Sequence, residues 1–352
     1  MILAAPATHF DRSPDLDASE PPEARGLDRD GVRLLVAEPD HIRHARFADL
    51  GDHLNPGDLL VVNNSATLAA AIDGRRDGRR ITVHFSTELD DGSWVVEVRP
   101  AGRATGHLKD IEAGELIELP AGVGLVIKQS YPRAGMRGGR LWRAKPVLEG
   151  DVSRYLARYG HAIHYAYVPH SWPLSAYQTV FARRPGSAEM ASAARPFSAC
   201  LVASLVAAGV AIAPITLHAG VSSAEAGEAP FAERFDVPAT TANLVNLTRA
   251  NGGRVVAVGT TATRALETAA HADGRVSPAA GWTDLVLGPD RPVRVVEGLI
   301  TGWHDAGASH LLLLEAVAGT ELVGAAYDEA VREGYLWHEF GDSALLLPKL
   351  RS

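Results

Sequence analysis

Cysteine is almost missing from this sequence of 352 residues; Cys200 stands alone. A disulfide framework and a cysteine-rich metal centre are thereby excluded, and a reducing, cytoplasmic setting is expected. Histidine does not fill the gap: His161 and His164 lie three apart without carboxylate or thiol company, so no metal is expected. No apolar stretch reaches the ~20 residues that span a bilayer. Met1 to Pro14 holds no basic region followed by an apolar run. Neither a membrane nor a secretory leader is therefore expected. Positive charge is also short: the formal net charge is -8 at pH 7, which argues against a general nucleic-acid coat. Two clusters remain, Arg75, Arg76, Arg79 and Arg80, and Arg133, Arg137, Arg140, Arg143 and Lys145. They read either as a local basic face or as solvated arginines in turns. The GxGxxG of dinucleotide binding and the GxSxG of hydrolases are absent.

What is present fits an α/β protein. Hydrophobic residues make up 46% and charged residues 22%, ordinary for a packed chain. The length allows two domains, or one carrying an insertion. Gly31 to Val36 and Leu59 to Val62 read as strands, the second introduced by the Asn55-Pro56-Gly57-Asp58 turn. From about Thr67 to Gly150 short β-rich runs (Ile81 to Phe85, Trp94 to Val98, Leu116 to Leu119, Gly124 to Ile127) alternate with turns. They predict an inserted barrel or sandwich at 67–150. Residues 1–66 and 151–352 then form a discontinuous main α/β domain. Helices are expected over Phe197 to Ala208, Asn243 to Asn251, Ala262 to Ala270, Leu311 to Ala318 and Tyr327 to Glu333. Strands are expected over Val210 to Leu217 and Val255 to Val258.

The sharpest unit runs from Val255 to Glu267. A buried strand delivers Gly259, two hydroxyls (Thr260, Thr261) and a helix start, with Arg264 one turn in. Backbone amides and hydroxyls in that arrangement bind carboxylate or ribose oxygens; alternatively the threonines cap the helix and Arg264 pairs with Glu267. Thr216-Leu217-His218 ends a strand in an imidazole suited to proton transfer, or a structural one. Asn63-Asn64 reads the edge of a base, or makes a turn. Trp303-His304-Asp305 and Phe340-Gly341-Asp342 set ionisable groups beside aromatics at element ends.

Taken in order, these segments resemble the S-adenosylmethionine:tRNA ribosyltransferase-isomerase family of queuosine biosynthesis. The resemblance rests on Arg33 to Val36, Pro56 to Asn64, Tyr177 to Ala182, Thr216-Leu217-His218, Val256 to Thr261 with Arg264 and Glu267, Leu299-Ile300-Thr301 with His304, and Phe340-Gly341-Asp342. It implies an α/β domain interrupted by a small β-barrel and no metal. It also implies a reaction in which adenine and methionine leave S-adenosylmethionine while its ribosyl carbons join 7-aminomethyl-7-deazaguanine in tRNA, forming epoxyqueuosine. Carried onto matching positions, it implies donor binding by Gly259, Thr260, Thr261 and Arg264. Asn63, Asn64, Tyr177 and Gln178 would shape the base site, and His218, Glu233, His304 and Asp342 would move protons or balance charge. A monomer is expected.

The departures cluster at the expected site. A family histidine falls on Pro196, and two more fall on Glu228 and Phe231, leaving Glu233. An arginine becomes Ala66, and a proline-rich lead-in to Tyr177 becomes His161 to Val168. Arg195 and Glu228 stand as candidate replacements. Two further readings follow: a paralogue that uses S-adenosylmethionine with a small-molecule acceptor or rearranges it, and a nucleoside-binding protein without catalysis. All three require the strand ends at Asn63, His218 and Thr260 to converge on a cleft between the main domain and the barrel.

Overall fold

The computed structural model describes residues 4–102, 106–135, 139–221 and 230–349. Arg137 and Glu228 lie outside these. In chain order the first strands are β1 (Arg33–Glu38), β2 (His41–Arg46), β3 (Leu59–Asn63) and β4 (Ser65–Thr67). There follow β5 (Ala71–Arg76), β6 (Arg79–Glu88), β7 (Trp94–Pro100), β8 (Leu116–Leu119), β9 (Val123–Tyr131) and β10 (Leu141–Val147). The remainder are β11 (Arg184–Ser187), β12 (Ala211–Leu217), β13 (Glu233–Val237), β14 (Val255–Val258), β15 (Ala279–Thr283), β16 (Gly298–Thr301) and β17 (Ser343–Leu346).

Nine strands form one mixed sheet in the order β15-β13-β12-β3-β14-β16-β17-β1-β2. Its centre is parallel: β3 pairs with β12 on one side and β14 on the other, and β14 with β16. Such strands are covered on both faces, which is why they read as unbroken apolar runs rather than alternations. In β3, Leu59 and Val61 join one core cluster while Leu60 and Val62 join another. The first face is covered by α3 (Ala239–Ala250), α4 (Thr260–Thr268), α5 (Ser309–Ala318) and α6 (Thr320–Arg332). The second is covered by α2 (Ala199–Ala207) with Phe47 and Phe197. No single helix among the described residues is long and apolar enough to cross a membrane.

Strands β5 to β10 close into a six-stranded antiparallel barrel in the order β10-β7-β6-β5-β8-β9. Closure leaves no unpaired edge. Phe85, Trp94, Val96, Ile117 and Ile127 fill its interior. The basic clusters correct the turn reading: Arg75 and Arg76 lie on β5, Arg79 and Arg80 on β6, and Arg143 and Lys145 on β10. Several are already paired, Arg76 with Asp110 and Glu115, Arg143 with Asp91.

The barrel meets the sheet near the C-terminal end of β12. Val221 N–H donates to Ser86 Oγ at 3.0 Å. Asp90, at the β6–β7 turn, accepts from Arg234 on β13 and from Trp282 Nε1 on β15 at 3.1 Å.

Candidate functional site

A cleft of about 610 Å³ opens where barrel and sheet meet. One wall is made by residues that follow parallel strands of the sheet: Ala219 to Val221 after β12, Gly259 to Arg264 after β14, and Gly302 to His310 after β16. The barrel contributes Ser86, Thr87, Glu97, Arg99, Tyr131 and Arg140, and a third wall carries Tyr165, Tyr167, Tyr177, Glu189 and Glu339. Ligand sites at the carboxyl ends of parallel strands are expected of open α/β sheets.

The wall after the sheet is braced from behind by Asn63, which is fully buried. Its amide Nδ2 donates to Leu217 O at 2.8 Å and Thr261 Oγ1 at 3.2 Å, and its Oδ1 accepts from Ser65 N and Leu217 N at 3.0 and 3.1 Å. One side chain thus ties the ends of β12, β3 and β14 together; the strand ends converge as expected, but of Asn63, His218 and Thr260 only Thr260 lines the cleft. Gly259 turns the chain into α4 at φ 90°, a left-handed conformation that favours glycine, and a Cβ there would stand 3.2 Å from Ala193 Cβ.

Gly259, Thr260, Thr261, Arg264, Tyr177, Glu233 and His304 all line the cleft. Arg264 is 7% exposed and pairs with Glu233. Its remaining donors go to Leu285 O at 3.1 Å, Thr283 O at 3.2 Å and Phe231 O at 3.5 Å. Glu233 also accepts from Gly220 N at 2.9 Å. The Arg264–Glu267 pair weighed from sequence does not form: buried Glu267 accepts from the amides of Arg294, Val295 and Val296.

Four predicted residues are set back from the cleft by the hydrogen bonds they make, and so is Asn63. Asn64 Oδ1 accepts from Thr216 Oγ1 at 2.7 Å. Gln178 exchanges two bonds with the Thr67 backbone, at 3.0 and 2.8 Å. Asp342, 5% exposed, accepts from Arg33 and from Leu336 N. His218 Nδ1 lies 2.7 Å from Ser65 Oγ, under Gly186, where any Cβ would stand 2.5 Å from the same nitrogen. Burial and the charges of Arg234 and Arg184 push the His218 imidazolium down to about 4, so it is neutral at pH 7. Arg195 is likewise committed, to Glu23 at 2.9 Å and Ala176 O at 3.0 Å.

Within the cleft His304 and His310 stack with rings parallel to 2° and centroids 4.4 Å apart. Burial, then the charges of His310 and His338, holds His304 well below the usual imidazole range; burial and Arg264 push His310 to about 4. Both are neutral bases at pH 7. Trp303 beside them is 2% exposed, and its indole N–H has no partner.

Apart from Tyr177, sequence reasoning missed the third wall. Tyr165 Oη donates to Glu189, and Tyr167 Oη to Glu339 Oε2 at 2.6 Å. His338 lies flat on Tyr167, 4.0 Å between centroids. Glu339 directly precedes the quoted Phe340-Gly341-Asp342, and the tyrosines fall in the His161 to Val168 stretch that departs from the family. Among the described residues no group of three or more His, Cys, Asp or Glu is placed to hold a metal.

The family model described as "Queuosine biosynthesis protein" matches residues 7–346. The S-adenosylmethionine:tRNA ribosyltransferase-isomerase of Pelotomaculum thermopropionicum is 33% identical over 353 residues, covering 95% of this chain and 96% of that protein. Its counterpart in Acidiphilium cryptum is 35% identical over 351 residues, with 94% and 98% covered. The crystal structure of S-adenosylmethionine tRNA ribosyltransferase from Thermotoga maritima is similar with a TM-score of 0.53 at 28% identity, over 96% of this chain and 99% of that one. Motif order, barrel and sheet, and likeness along nearly the whole length agree: this chain belongs to the S-adenosylmethionine:tRNA ribosyltransferase-isomerase family.

Proposed function

We propose that this chain transfers the ribosyl group of S-adenosylmethionine to 7-aminomethyl-7-deazaguanine in tRNA and isomerises it to the epoxycyclopentanediol of epoxyqueuosine, releasing adenine and methionine. One observation carries the reading: three strand ends, locked by Asn63, deliver the Gly259–Thr261 helix start to a cleft that also holds two neutral imidazoles.

The reaction needs an anchor for the donor, a base for an acidified proton near the sulfonium or on adenine, and an acid for departing adenine. The amides and hydroxyls at Thr260 and Thr261 suit the donor's oxygens. Glu233, propped by Arg264, and the face of Trp303 suit the sulfonium. His304 and His310 are the proton acceptors, being uncharged at pH 7. The indole N–H of Trp303 is a donor awaiting a ligand acceptor. Asn63, Asn64, Gln178, His218 and Asp342 then act as positioning residues.

We take 67–150 as an inserted barrel domain and 1–66 with 151–352 as the main domain; closure of β5 to β10 supports that division. A tRNA substrate implies work in the cytoplasm. The test is incubation with S-adenosylmethionine and tRNA bearing the aminomethyl base, followed by chromatography for adenine and mass analysis of the nucleoside. Absence of adenine release sinks the reading. A small-molecule acceptor is the second reading, favoured by the net charge of -8; strict RNA dependence of adenine release excludes it.

A further inference from the structure

The loop that carries both cleft imidazoles is tied from outside by the N-terminal segment. That segment runs beside the residues leading into β17: Ala18 N–H donates to Trp337 O at 3.2 Å, and Trp337 N–H to Leu16 O at 2.8 Å. Phe10 packs on the rings of Tyr327 and Trp337, with centroids 4.8 and 6.1 Å apart. Arg12 reaches inward from it, 15% exposed along its side chain, with its guanidinium 5.4 Å over the Trp337 ring. This one guanidinium holds two carboxylates. Nη1 donates to Asp17 Oδ1 at 2.6 Å, within the segment, and Nη2 to Asp305 Oδ1 at 2.6 Å, on the loop after β16. Asp305 lines the cleft and directly follows His304. Among the described residues its ion-pair partners are Arg12 and, at 3.9 Å, His338. His338 closes the cluster, its Nε2 lying 2.9 Å from Asp17 Oδ1 and 3.2 Å from Arg12 Nη2. Its backbone is left-handed at φ 69°, uncommon for a residue with a side chain and a sign that the place of the ring is constrained. That ring is the one lying flat on Tyr167 in the cleft wall.

We propose that Arg12 is a positioning residue of the cleft: through Asp305 and Trp337 it fixes the 302–310 loop, and with it His304 and His310. Two routes lead from the guanidinium to His304. One is covalent, through Asp305, the next residue in the chain. The other passes through Trp337, whose indole N–H donates to His304 O at 3.1 Å beneath the guanidinium. Asp305 is 58% exposed, so water competes for its carboxylate and the ion pair adds little to stability. What the pair sets is where the loop lies. Without the guanidinium, Asp17 and Asp305 face each other as two negative charges across one imidazole, and the more exposed Asp305 is the one to swing out. An arginine suits the task because its planar fork donates in two directions at once; a lysine keeps the charge but concentrates it at one point. The catalytic part of this role rests on the ribosyl-transfer reading above, in which His304 and His310 accept protons. A proton acceptor moved by about 1 Å can lose on the order of 100-fold in rate.

The test uses the full chain as wild type, Arg12→Ala, Arg12→Lys, Asp305→Asn and the double variant of Arg12→Ala with Asp305→Asn. The first readout needs no substrate: backbone hydrogen exchange of residues 302–310, with the barrel strands as internal reference. Exchange there is expected to quicken by about 10-fold in Arg12→Ala and Asp305→Asn, to be intermediate in Arg12→Lys, and to leave the barrel unchanged. The second readout is adenine release from S-adenosylmethionine and tRNA bearing the aminomethyl base, resolved into kcat and KM. Arg12→Ala is expected to lower kcat by about 30-fold with KM within about 2-fold, and Arg12→Lys to recover part of the loss. The double variant should be no slower than Arg12→Ala within about 2-fold, because both substitutions cut one connection. Unchanged exchange at 302–310 overturns the proposal, as does faster exchange spread evenly over sheet and barrel. A raised KM at unchanged kcat, or losses that multiply in the double variant, overturns it too. Should Arg12→Ala fail to fold, Arg12→Lys and Asp305→Asn carry both readouts. Wild type that releases no adenine sinks ribosyl transfer, and the exchange of 302–310 then decides alone whether Arg12 holds the loop.

Discussion

The wall that follows the sheet and the tyrosine wall are built on opposite plans. In the first, Asn63 makes four hydrogen bonds, Arg264 is taken up by Glu233 and three carbonyls, and Glu267 gathers three amides. In the second, two carboxylates crowd each other, Glu339 is shifted towards neutrality, and the Tyr177 hydroxyl is left over. The first wall coincides with motifs shared with the family; in the second, Tyr165, Tyr167 and Glu189 fall in segments that depart from it, while Tyr177 lies in a shared motif and Glu339 beside one. Residues kept in motif here are mostly braces, with the Tyr177 hydroxyl as an exception.

The largest effect should come from the braced side. Asn63→Ala leaves buried amide and carbonyl groups of Leu217 and the Ser65 amide unpartnered, and is expected to destabilise by about 3 kcal/mol in urea unfolding. A loss under about 1 kcal/mol would erase the contrast between the walls. On the tyrosine side the sign reverses. The Glu339 carboxyl is raised when folded, so its contribution is full below the ordinary carboxylate range and is lost as pH climbs through about 7. Glu339→Gln should therefore be more stable than wild type at pH 8, by on the order of 2 kcal/mol, and indistinguishable at pH ~4. A variant less stable at both pH values contradicts that.

His218 tests the braced side from the acid direction. Its imidazolium is depressed to about 4, so the stabilisation it gives is present above the ordinary imidazole range and fades as pH falls from about 6.5 towards 4. His218→Gln should flatten that acid limb by about 1 kcal/mol, discounted because the ring is half-buried; parallel limbs would exclude it. The smallest change is expected from Tyr177→Phe. Removing a buried hydroxyl that has no partner should raise the melting temperature by a degree or two, roughly 1 kcal/mol, the low end of the cost of burying it unbonded. A fall of several degrees would mean that the hydroxyl is bonded within the protein after all.

Much of the frame was readable from the chain. Val255–Val258 and Leu116–Leu119 fall where the apolar runs end at glycine or proline; the first is fully buried, which leaves little choice of residue, and the second alternates exposed and buried positions. Strands β5 and β10 were hidden by their arginines, which in sequence mimic turns. Helix α1 (Val152–Tyr159) was also hidden: Asp151, which caps it by accepting from Ser153 and Arg154, reads in sequence only as the end of a loop. In the site, Gly259 to Arg264 was legible since strand, turn and helix are contiguous. The tyrosine–carboxylate pairs were not. Tyr167 and Glu339 are 172 residues apart, and no spacing rule links them. A family motif gives no help either, because Tyr165, Tyr167 and Glu189 lie in stretches where the chain departs from it and Glu339 falls just outside a shared one.

The single amide of Asn63 has a consequence for how such a protein can change. It works as a crossbeam: three strand ends are pinned to one side chain, which holds the sheet side of the cleft from behind. The opposite face is then free to be rewritten, one tyrosine or glutamate at a time, without the scaffold having to be reinvented. A lineage holding this beam can exchange reaction partners while its architecture stands still.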